Sequence, residues 1–527
     1  MKIALAQLNY TIGDIDANAD RIIESIRKAE SEGADLVIFA EYAVSGTPAY
    51  DLLRKTTFLT LCEEALERIA AECRNITAIV GSPLLTECGA VSGAVVMRNG
   101  EVCETISKQY ISARREMGFI STGSGYQIVN IAGSNVAVVV GDDLSQLQDL
   151  PQQADFVISI NARRYGKGLL SYRYEAIRRL TYTEARNVII INQVGGSGDL
   201  VYDGMSGVMN CEGKLDLLMK DFEEDFKIYD TSATHEAQEA PFTSYNHRTR
   251  MLYRAACLGL RDYFHKNGYT KACVGLSGGI DSSVVACLAV GALGAENVKG
   301  LMMPSQFSSE DSVEDAKLLA ENLGIEYSVL PIKAAYDSII DTLKPVTGGT
   351  EFDATEENIQ SRIRTVLLMA LQNKEGYILL DCSNKSENAV GWCTLYGDTA
   401  GAFSVTGDLY KSEIYDLARY INMNFDNPIP EVILKKEPSS ELHPNQKDSD
   451  MLPPYEVVDA ILYRMIEKGE HREEIINAGF DSEVVEKIHT MVMRNVKKRY
   501  QYPPVLRLST SSFRHECMFP LVNKYGY

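Results

Sequence analysis

The chain has 527 residues, of which 45% are hydrophobic and 24% charged, as expected of a folded protein too long for one core. Its net charge of −20 argues against a nucleic-acid or anionic-membrane partner. The eleven cysteines contain no Cys-x-x-Cys pair and the seven histidines no ligand-like pair, which predicts reduced thiols in the cytoplasm and no zinc site. No apolar run is long enough to span a bilayer, and the first residues predict a strand rather than a signal peptide.

Residues 1–235 alternate strand and helix patterns, which is typical of layered α/β folds. Apolar residues at helical spacing predict a helix over 17–32, and Asn99-Gly100 predicts a hairpin turn between two strands. The predicted strands are 2–8, 35–39, 78–81, 95–97, 102–106, 136–140, 156–160 and 188–191.

The composition changes at residues 231–245, which are rich in Thr, Ser and Glu and show little periodicity. We therefore predict a first domain over 1–235, a linker over 236–249 and a second domain over 250–527. The second domain opens with a predicted helix over 250–264 and continues as strand–loop–helix units, without internal repeats.

The most informative pattern lies at residues 271–293. An apolar run over 271–276 predicts a buried strand, and apolar spacing from Asp281 to Leu293 predicts a helix. Between them, Ser277-Gly278-Gly279 lets backbone N–H groups approach a ligand closely, and the helix N-terminus adds partial positive charge. No Gly-Lys-Ser/Thr follows, so the loop predicts an anion site that differs from the Walker pattern.

This loop resembles the pyrophosphate loop of ATP pyrophosphatases, and the strings after it resemble NAD synthetases. Those strings are Leu301-Met-Met-Pro304-Ser305, Glu357-Asn358-Ile-Gln-Ser-Arg362-Ile-Arg364, Asn384-Lys385-Ser-Glu387, Leu395-Tyr-Gly397-Asp398, Pro438-Ser-Ser-Glu-Leu442 and Lys498-Arg-Tyr-Gln-Tyr-Pro503. The first domain resembles the nitrilase-type glutaminase fused to the synthetase in many bacteria. The resemblance implies an α/β protein in which an N-terminal nitrilase-like α-β-β-α sandwich precedes a Rossmann-like ATP-pyrophosphatase domain with a parallel sheet.

The resemblance also implies a reaction. ATP adenylates the nicotinate carboxylate of deamido-NAD, pyrophosphate leaves, and ammonia attacks the acyl-adenylate to give NAD and AMP. A homo-oligomer is implied, as is Mg²⁺ held by Asp281 and Glu387, whose hard carboxylate oxygens suit that ion. The implied ATP-binding residues are Gly275, Leu276, Ser277, Gly278, Gly279, Ile280, Asp281, Ser282, Ser283 and Cys382. The implied deamido-NAD-binding residues are Asn358, Arg362, Glu387, Asp398, Lys411 and Lys498.

The synthetase pattern is broken at Asp381-Cys382-Ser383, where the family usually carries Thr-Thr-Gly. Cys382 takes a threonine position that contacts ATP in the family. Ser383 takes a glycine position, where a positive φ would disfavour serine. The sequence therefore defines phosphate binding better than adenine or substrate geometry.

The glutaminase pattern has lost its nucleophile. Such a site needs a cysteine, a glutamate base and a lysine that stabilises the oxyanion. Glu41 and Lys108 match the latter two, but Gly141 stands at the cysteine position in Val140-Gly141-Asp142-Asp143. Arg163-Arg164 also replace the usual Ser-Pro at the glutamine pocket. The first domain is therefore predicted to be a pseudo-glutaminase, with Glu41 and Lys108 as remnants of the site or as an ion pair retained for structure.

Three hypotheses follow. The favoured one is an NAD synthetase that takes ammonia, either free or from a separate source. The second is a paralogous ligase that amidates another carboxylate or uses another amine, as the changes at Asp381-Cys382-Ser383 would allow. The third, a tRNA-modifying ATP pyrophosphatase or nucleic-acid-binding module, is disfavoured by the net charge of −20. A purely structural protein is disfavoured by the intact ATP loop.

Overall fold

A computed structural model describes residues 1–112, 116–146, 153–238, 245–348, 351–444, 446–522 and 524, with only the backbone at 182–184 and 245–246. The chain divides into two compact units, Met1–His247 and Arg248–Tyr527. The predicted linker 236–249 spans this division, but residues 239–244 lie outside the described residues, so the linker stays a prediction. No helix in the described ranges has the length and apolarity needed to cross a bilayer.

The first unit contains two six-stranded sheets. Its helices are α1 Ile15–Ser31, α2 Thr56–Ala70, α3 Asp143–Gln146 and α4 Leu169–Glu184. Its strands are β1 Lys2–Gln7, β2 Leu36–Ile38, β3 Thr77–Thr86, β4 Gly89–Arg98, β5 Glu101–Ser107, β6 Gln127–Ile131, β7 Ser134–Val140, β8 Phe156–Asn161, β9 Asn187–Asn192, β10 Val194–Ser197, β11 Leu200–Asp203, β12 Gly207–Met209, β13 Leu215–Leu218 and β14 Asp225–Asp230.

These sheets form the sandwich that the sequence predicts. One has the strand order β14-β1-β2-β3-β4-β5 and the other β13-β12-β9-β8-β7-β6. Side chains alternate along β1, so that Ile3 and Leu5 enter the core shared by both sheets, while Ala4 and Ala6 face the helices α1 and α2. The helix α4 packs on β9 and β12 of the other sheet, which completes the α-β-β-α layers.

The second unit is built on a parallel sheet. Its strands are β15 Ala272–Gly275, β16 Val298–Met302, β17 Glu326–Val329, β18 Ile378–Asp381 and β19 Phe403–Ser404. Its helices are α5 Tyr245–Lys266, α6 Ile280–Leu293, α7 Glu310–Leu323, α8 Lys333–Thr347, α9 Ala354–Glu375, α10 Lys385–Val390, α11 Lys411–Asn424, α12 Glu431–Lys435, α13 Tyr455–Ile466, α14 Arg472–Asn477, α15 Ser482–Arg494 and α16 Val496–Arg499. The predicted helix over 250–264 is therefore longer than expected at both ends.

The order of this sheet, β17-β16-β15-β18-β19, positions the ligand site. The chain runs outward from β15 through β16 to β17, and the sheet continues on the other side of β15 with β18 and β19. The strand order therefore reverses between β15 and β18. Parallel sheets bind ligands beyond the carboxyl ends of their strands at such a reversal. The loops after β15 and β18 are the predicted ATP loop and the segment 382–384.

Candidate functional site

A cavity of about 310 Å³ opens at the reversal between β15 and β18. It is lined by the loop after β15, from Gly275 to Ser282, and by Cys382 after β18. All but one of the predicted ATP-binding residues therefore face the same space. The exception is Ser283, which is fully buried and donates its hydroxyl to the Gly279 carbonyl at 2.8 Å.

The loop Ser277-Gly278-Gly279 owes its shape to glycine and serine. Gly278 has φ +76°, and a Cβ there would lie 2.2 Å from the carbonyl oxygen of Ser312. No residue with a side chain fits this position without moving the backbone. The Ser277 hydroxyl accepts from Gly279 N at 3.2 Å and lies 3.0 Å from the Ser282 hydroxyl, so the turn is closed by its own side chains.

Asp281 and Glu387 meet at one ammonium group. Lys411 Nζ donates to Asp281 Oδ2 and lies 3.2 Å from Glu387 Oε1. Asn384, which caps α10, donates to Asp281 Oδ1 at 2.9 Å and holds that carboxylate in place. Burial raises the pKa of Glu387 to about 8, although Lys411 opposes the shift. Burial lowers the pKa of Lys411, but Asp281 and Glu387 outweigh it, so the net shift is upward and the ammonium stays charged.

This pair suits Mg²⁺. Two carboxylates converge on a cation, which shows that their oxygens can share one positive charge. Mg²⁺ is usually held by one or two carboxylates together with substrate phosphates and water, rather than by a full protein cage. Within the described ranges no group of three or more His, Cys, Asp or Glu gathers as a metal site.

Asp381 and Cys382 of the altered segment line the cavity, and Ser383 is buried beside them. Among the residues that the structure describes, Ser383 is not one of the non-glycine positions with positive φ, so serine fits here without backbone strain. Asp381 accepts from Ser383 Oγ at 2.8 Å, and burial raises its pKa to about 7. Burial and then Asp381 raise the pKa of the Cys382 thiol well above its usual value, so the thiol remains protonated.

Only half of the predicted deamido-NAD residues line the cavity. Glu387, Asp398 and Lys411 do, and Thr394 N donates to Asp398 Oδ1 at 2.7 Å. Burial raises the pKa of Asp398 to about 6.

The other three predicted residues contact the segment 391–395 instead. Asn358 accepts from Thr394 Oγ1 at 2.6 Å, Arg362 donates to the Leu395 carbonyl at 3.2 Å, and Lys498 donates to the carbonyls of Gly391 and Cys393, each at 2.7 Å. Their placement around one segment next to Asp398 is compatible with an indirect role, and their binding role stays a prediction.

Among the further polar residues that line the cavity but were not predicted as ligands, three are charged side chains of interest. Arg364 donates to the Met303 carbonyl at 3.0 Å, and burial lowers its pKa to about 10. Asp448 accepts from Trp392 Nε1 at 3.2 Å. Lys436 is the third. Arg364 and Asp448 stand in the synthetase motif strings or beside them, whereas Lys436 carries no signal in the sequence beyond its position two residues before Pro438.

A buried lysine ties the C-terminal segment to this site. Lys385, the residue after Asn384, is fully buried and reaches Glu467 at 2.6 Å and Asp408 at 3.1 Å. It also donates to Ser509 Oγ at 2.8 Å and to the Ser511 carbonyl at 2.9 Å. The lysine at the start of α10 therefore joins Glu467, the residue after α13, to residues near the end of the chain.

In the first unit, the glutaminase positions gather at the ends of β2, β5 and β7. Lys108 Nζ lies 3.2 Å from Glu41 Oε1 and 2.8 Å from Glu116 Oε2, and all three side chains are at most 3% exposed. Ser92 donates to Glu41 Oε1 at 2.7 Å. Burial raises the pKa of Glu41, with Lys108 opposing it. Glu116 was not predicted, because it lies in a loop without periodicity.

Gly141 lies directly against this pair, as the cysteine position should. A Cβ on Gly141 would lie 2.7 Å from Glu41 Oε2 and 2.8 Å from Lys108 Nζ, at a φ of +56°. The ends of Glu41 and Lys108 therefore occupy the space in which a side chain at position 141 would begin. A side chain there would require both of these ends to shift, and the positive φ disfavours residues other than glycine.

Arg163 adds a second cation beside Gly141. Its Nη2 lies 3.6 Å from Asp142 Oδ1 and 3.5 Å from the Gly141 carbonyl oxygen. Arg164 instead donates to the Tyr165 carbonyl at 3.1 Å. Of the two arginines that replace the usual Ser-Pro, Arg163 thus contacts Gly141, the position at which the family carries the cysteine.

Comparison with known proteins covers both units. The carbon-nitrogen hydrolase family matches residues 2–230 and the NAD synthase family residues 252–502. The chain is 36% identical to a glutamine-dependent NAD(+) synthetase of Acinetobacter baylyi, over 99% of this chain and 98% of the relative. It is 37% identical to one of Aquifex aeolicus over 100% of both chains.

Solved structures give the same result. A glutamine-dependent NAD+ synthetase of Acinetobacter baumannii in complex with ADP matches with a TM-score of 0.77 and 35% identity, over 99% of this chain and 98% of that one. One from Cytophaga hutchinsonii matches with a TM-score of 0.86 over 100% and 98%, and at 19% identity it supports the fold alone. With both units matched in order at this identity, the chain belongs to the family of glutamine-dependent NAD(+) synthetases.

Proposed function

We propose that the chain amidates deamido-NAD to NAD at the expense of ATP, and that it takes ammonia rather than glutamine. The observation that carries the first part is the cavity in which the loop Ser277-Gly278-Gly279 meets the Asp281–Lys411–Glu387 cluster. The loop is suited to phosphates, and the cluster to a divalent cation or developing negative charge. Full-length relatives named for this activity support the assignment.

In the proposed reaction, a carboxylate oxygen of deamido-NAD forms a bond to the α-phosphorus of ATP, and pyrophosphate leaves as the α–β bridging bond breaks. Ammonia then attacks the acyl carbon, loses a proton and expels AMP. Loop 277–279 orients the phosphates, and Asn384 fixes Asp281 so that its charge keeps one position. Lys411 neutralises phosphate charge as it develops, because its pKa keeps it cationic.

Mg²⁺ belongs to the same proposal. Asp281 and Glu387 would hold it, and when bound it would neutralise phosphate oxygens. Binding requires Glu387 in its charged form. Because burial raises the pKa of Glu387, binding of the ion should strengthen as the pH rises.

The proposal of ammonia as the nitrogen donor rests on Gly141. Release of ammonia from glutamine through an acyl-enzyme needs a nucleophile at this position, and glycine has none. Glu41 and Lys108 hold each other instead. The first unit is then a structural partner of the synthetase and not a source of ammonia.

The test is a product assay on the full chain with deamido-NAD, ATP and Mg²⁺, comparing ammonium with glutamine. We expect NAD, AMP and pyrophosphate in equal amounts with ammonium, and background glutamate release with glutamine, insensitive to thiol alkylation. Glutamine-driven turnover with stoichiometric glutamate would overturn the ammonia proposal. A product from another acid or amine, with none from deamido-NAD, would favour the paralogous ligase that Cys382 and Ser383 allow.

We also propose that the chain works as a homo-oligomer. The support is the family resemblance, which implies a homo-oligomer. Light scattering of the purified chain tests this, and a monomeric mass at micromolar concentration would contradict it.

A further inference from the structure

Lys436 holds a positive charge against the first turn of α7. Its Nζ donates to Ser312 Oγ and lies 3.7 Å from Asp315 Oδ2 and 3.8 Å from Glu441 Oε1. The first turn of a helix favours anions, so an ammonium group is not stabilised there by the helix itself. The two carboxylates keep Lys436 in place, and an anion of higher charge could compete for it.

Ser312 lies between Lys436 and the phosphate loop. The position of a Cβ on Gly278 would be 2.2 Å from the Ser312 carbonyl oxygen, so the loop packs directly on the residue that receives Lys436. Gly278, Ser312 and Lys436 all line the cavity. Ser312 alone would therefore separate a phosphate group bound by the loop from the Lys436 ammonium group.

The cavity is lined by more acidic than basic side chains, which makes the Lys436 cation important for binding a polyphosphate. Among the described lining residues, seven are carboxylates and three are cations, namely Arg364, Lys411 and Lys436. Lys411 and Lys436 are each held by two carboxylates, but Lys411 is 4% exposed and Lys436 is 28% exposed. A polyphosphate entering this acidic space needs a cation that can reach it, and Lys436 is more accessible than Lys411.

We propose that Lys436 is a positioning residue for the phosphates that leave as pyrophosphate. On nucleotide binding its ammonium exchanges Asp315 and Glu441 for phosphate oxygens, contributing hydrogen bonds and charge without transferring a proton. Glu441 keeps its segment docked meanwhile, since it accepts from Ser309 N at 3.2 Å and Ser312 Oγ at 2.7 Å. This inference rests on the proposed ATP-dependent function and names a residue of the same site.

The first test replaces Lys436 in the full chain and measures binding of inorganic pyrophosphate and, separately, of AMP by calorimetry with Mg²⁺ present. We expect Lys436→Met to bind pyrophosphate about tenfold more weakly, the usual effect of losing one charged hydrogen bond, with AMP binding unchanged. Lys436→Arg should recover part of the affinity. The matched control is Lys435→Met, because Lys435 is 74% exposed and pairs with Glu431 on the surface of α12; it should leave both affinities unchanged.

A second variant should change the affinity for pyrophosphate in the opposite direction. Glu441→Gln removes one of the two charges that hold Lys436, while its amide oxygen can still accept from Ser309, so pyrophosphate should bind severalfold more tightly. Unchanged pyrophosphate affinity in Lys436→Met, an equal loss of AMP affinity, no pyrophosphate binding by the wild type, or weaker binding in Glu441→Gln would each overturn the inference. The Glu441→Gln result decides if Lys436→Met does not fold. Because these measurements need no deamido-NAD, failure of amidation would count against the proposed function alone.

Discussion

At the scale of single residues, Lys411 shows how an acidic protein can prepare a site for a negatively charged substrate. Its ammonium stands between Asp281 and Glu387 with 4% of its side chain exposed. Removing the ammonium alone would leave negative charge unpaired where each carboxylate is only 18% exposed, which is costly. Under the proposed function, a divalent cation and a polyphosphate would replace these contacts together.

The first prediction concerns Asp281. Asp281→Asn should keep the fold but lower Mg²⁺-dependent pyrophosphate release about 100-fold, because the charged hydrogen bonds that asparagine cannot make are worth about 3 kcal/mol. Asp341→Asn is the matched control, since Asp341 is 68% exposed and pairs with Lys344 on the surface of α8. Equal turnover in the two variants would remove Asp281 from the metal site.

At the scale of elements, the turn between β15 and α6 depends on the absence of a side chain. Gly278→Ala should weaken ATP binding strongly, because its Cβ would lie 2.2 Å from the Ser312 carbonyl oxygen and φ is +76°. Gly324→Ala isolates the backbone effect, since Gly324 has φ +66° and open space around its Cβ position. We expect both to lose some stability and only Gly278→Ala to lose ATP affinity; similar ATP titrations for the two would speak against the loop.

The end of β18 should make the stability of the second unit depend on pH. Burial raises the pKa of Asp381 from 3.8 to about 7, so the folded chain keeps a proton that the unfolded chain releases near pH 4. Between these values the folded state binds more protons, and the free energy of unfolding falls as pH rises, by at most about 1.4 kcal/mol per pH unit for this group. Above about pH 7 its contribution is constant.

Urea unfolding followed by tryptophan fluorescence tests this, because the only tryptophan, Trp392, lies in the second unit. Asp381→Asn should flatten the decline between pH 5 and 7 and run parallel to the wild type above it. Curves that stay parallel over the whole range would show that Asp381 titrates normally.

The same elements show what can be predicted from the sequence. The sequence predicts the turn within 271–293 and the positions of Glu41, Lys108 and Gly141. Each of these follows a strand, and the ends of strands meet at one edge of a sheet. The contact of Lys436 with Ser312 joins residues 124 apart through a long side chain, which no local pattern specifies. The inward or outward direction of Asn358, Arg362 and Lys498 likewise depends on packing against the segment 391–395.

At the scale of the whole molecule, the two units differ in how many of their expected site residues they keep. The second keeps the cavity and the residues expected to act in it. In the first, the buried cluster Glu41–Lys108–Glu116 lies beside Gly141, and breaking buried ion pairs of this kind is strongly destabilising. The sequence left open whether Glu41 and Lys108 are remnants of the site or an ion pair retained for structure, and their contact fits both alternatives.

The last prediction concerns restoring the nucleophile. Gly141→Cys should not restore glutamate release from glutamine, because its Cβ would crowd Glu41 and Lys108, and Arg163 covers the adjacent carbonyl. Overpacking costs about 1–3 kcal/mol, so the melting temperature should fall by several degrees. Gly133→Cys, at φ +86° with nothing within 4 Å of its Cβ position, controls for the backbone. Glutamine-driven NAD formation by Gly141→Cys would show that the site had kept its function.

The contacts of Lys385 have a practical meaning for handling the protein. Asp408 accepts from the backbone N–H groups of Leu508 and Ser509, at 2.9 Å and 2.8 Å, and shares Lys385 with Ser509. Proteolysis before Leu508 would strip a buried lysine of partners one residue from Asn384, which orients Asp281. A preparation cleaved there would keep most of its mass but lose activity. Any assay of this chain should therefore use protein whose measured mass shows that its C-terminus is intact.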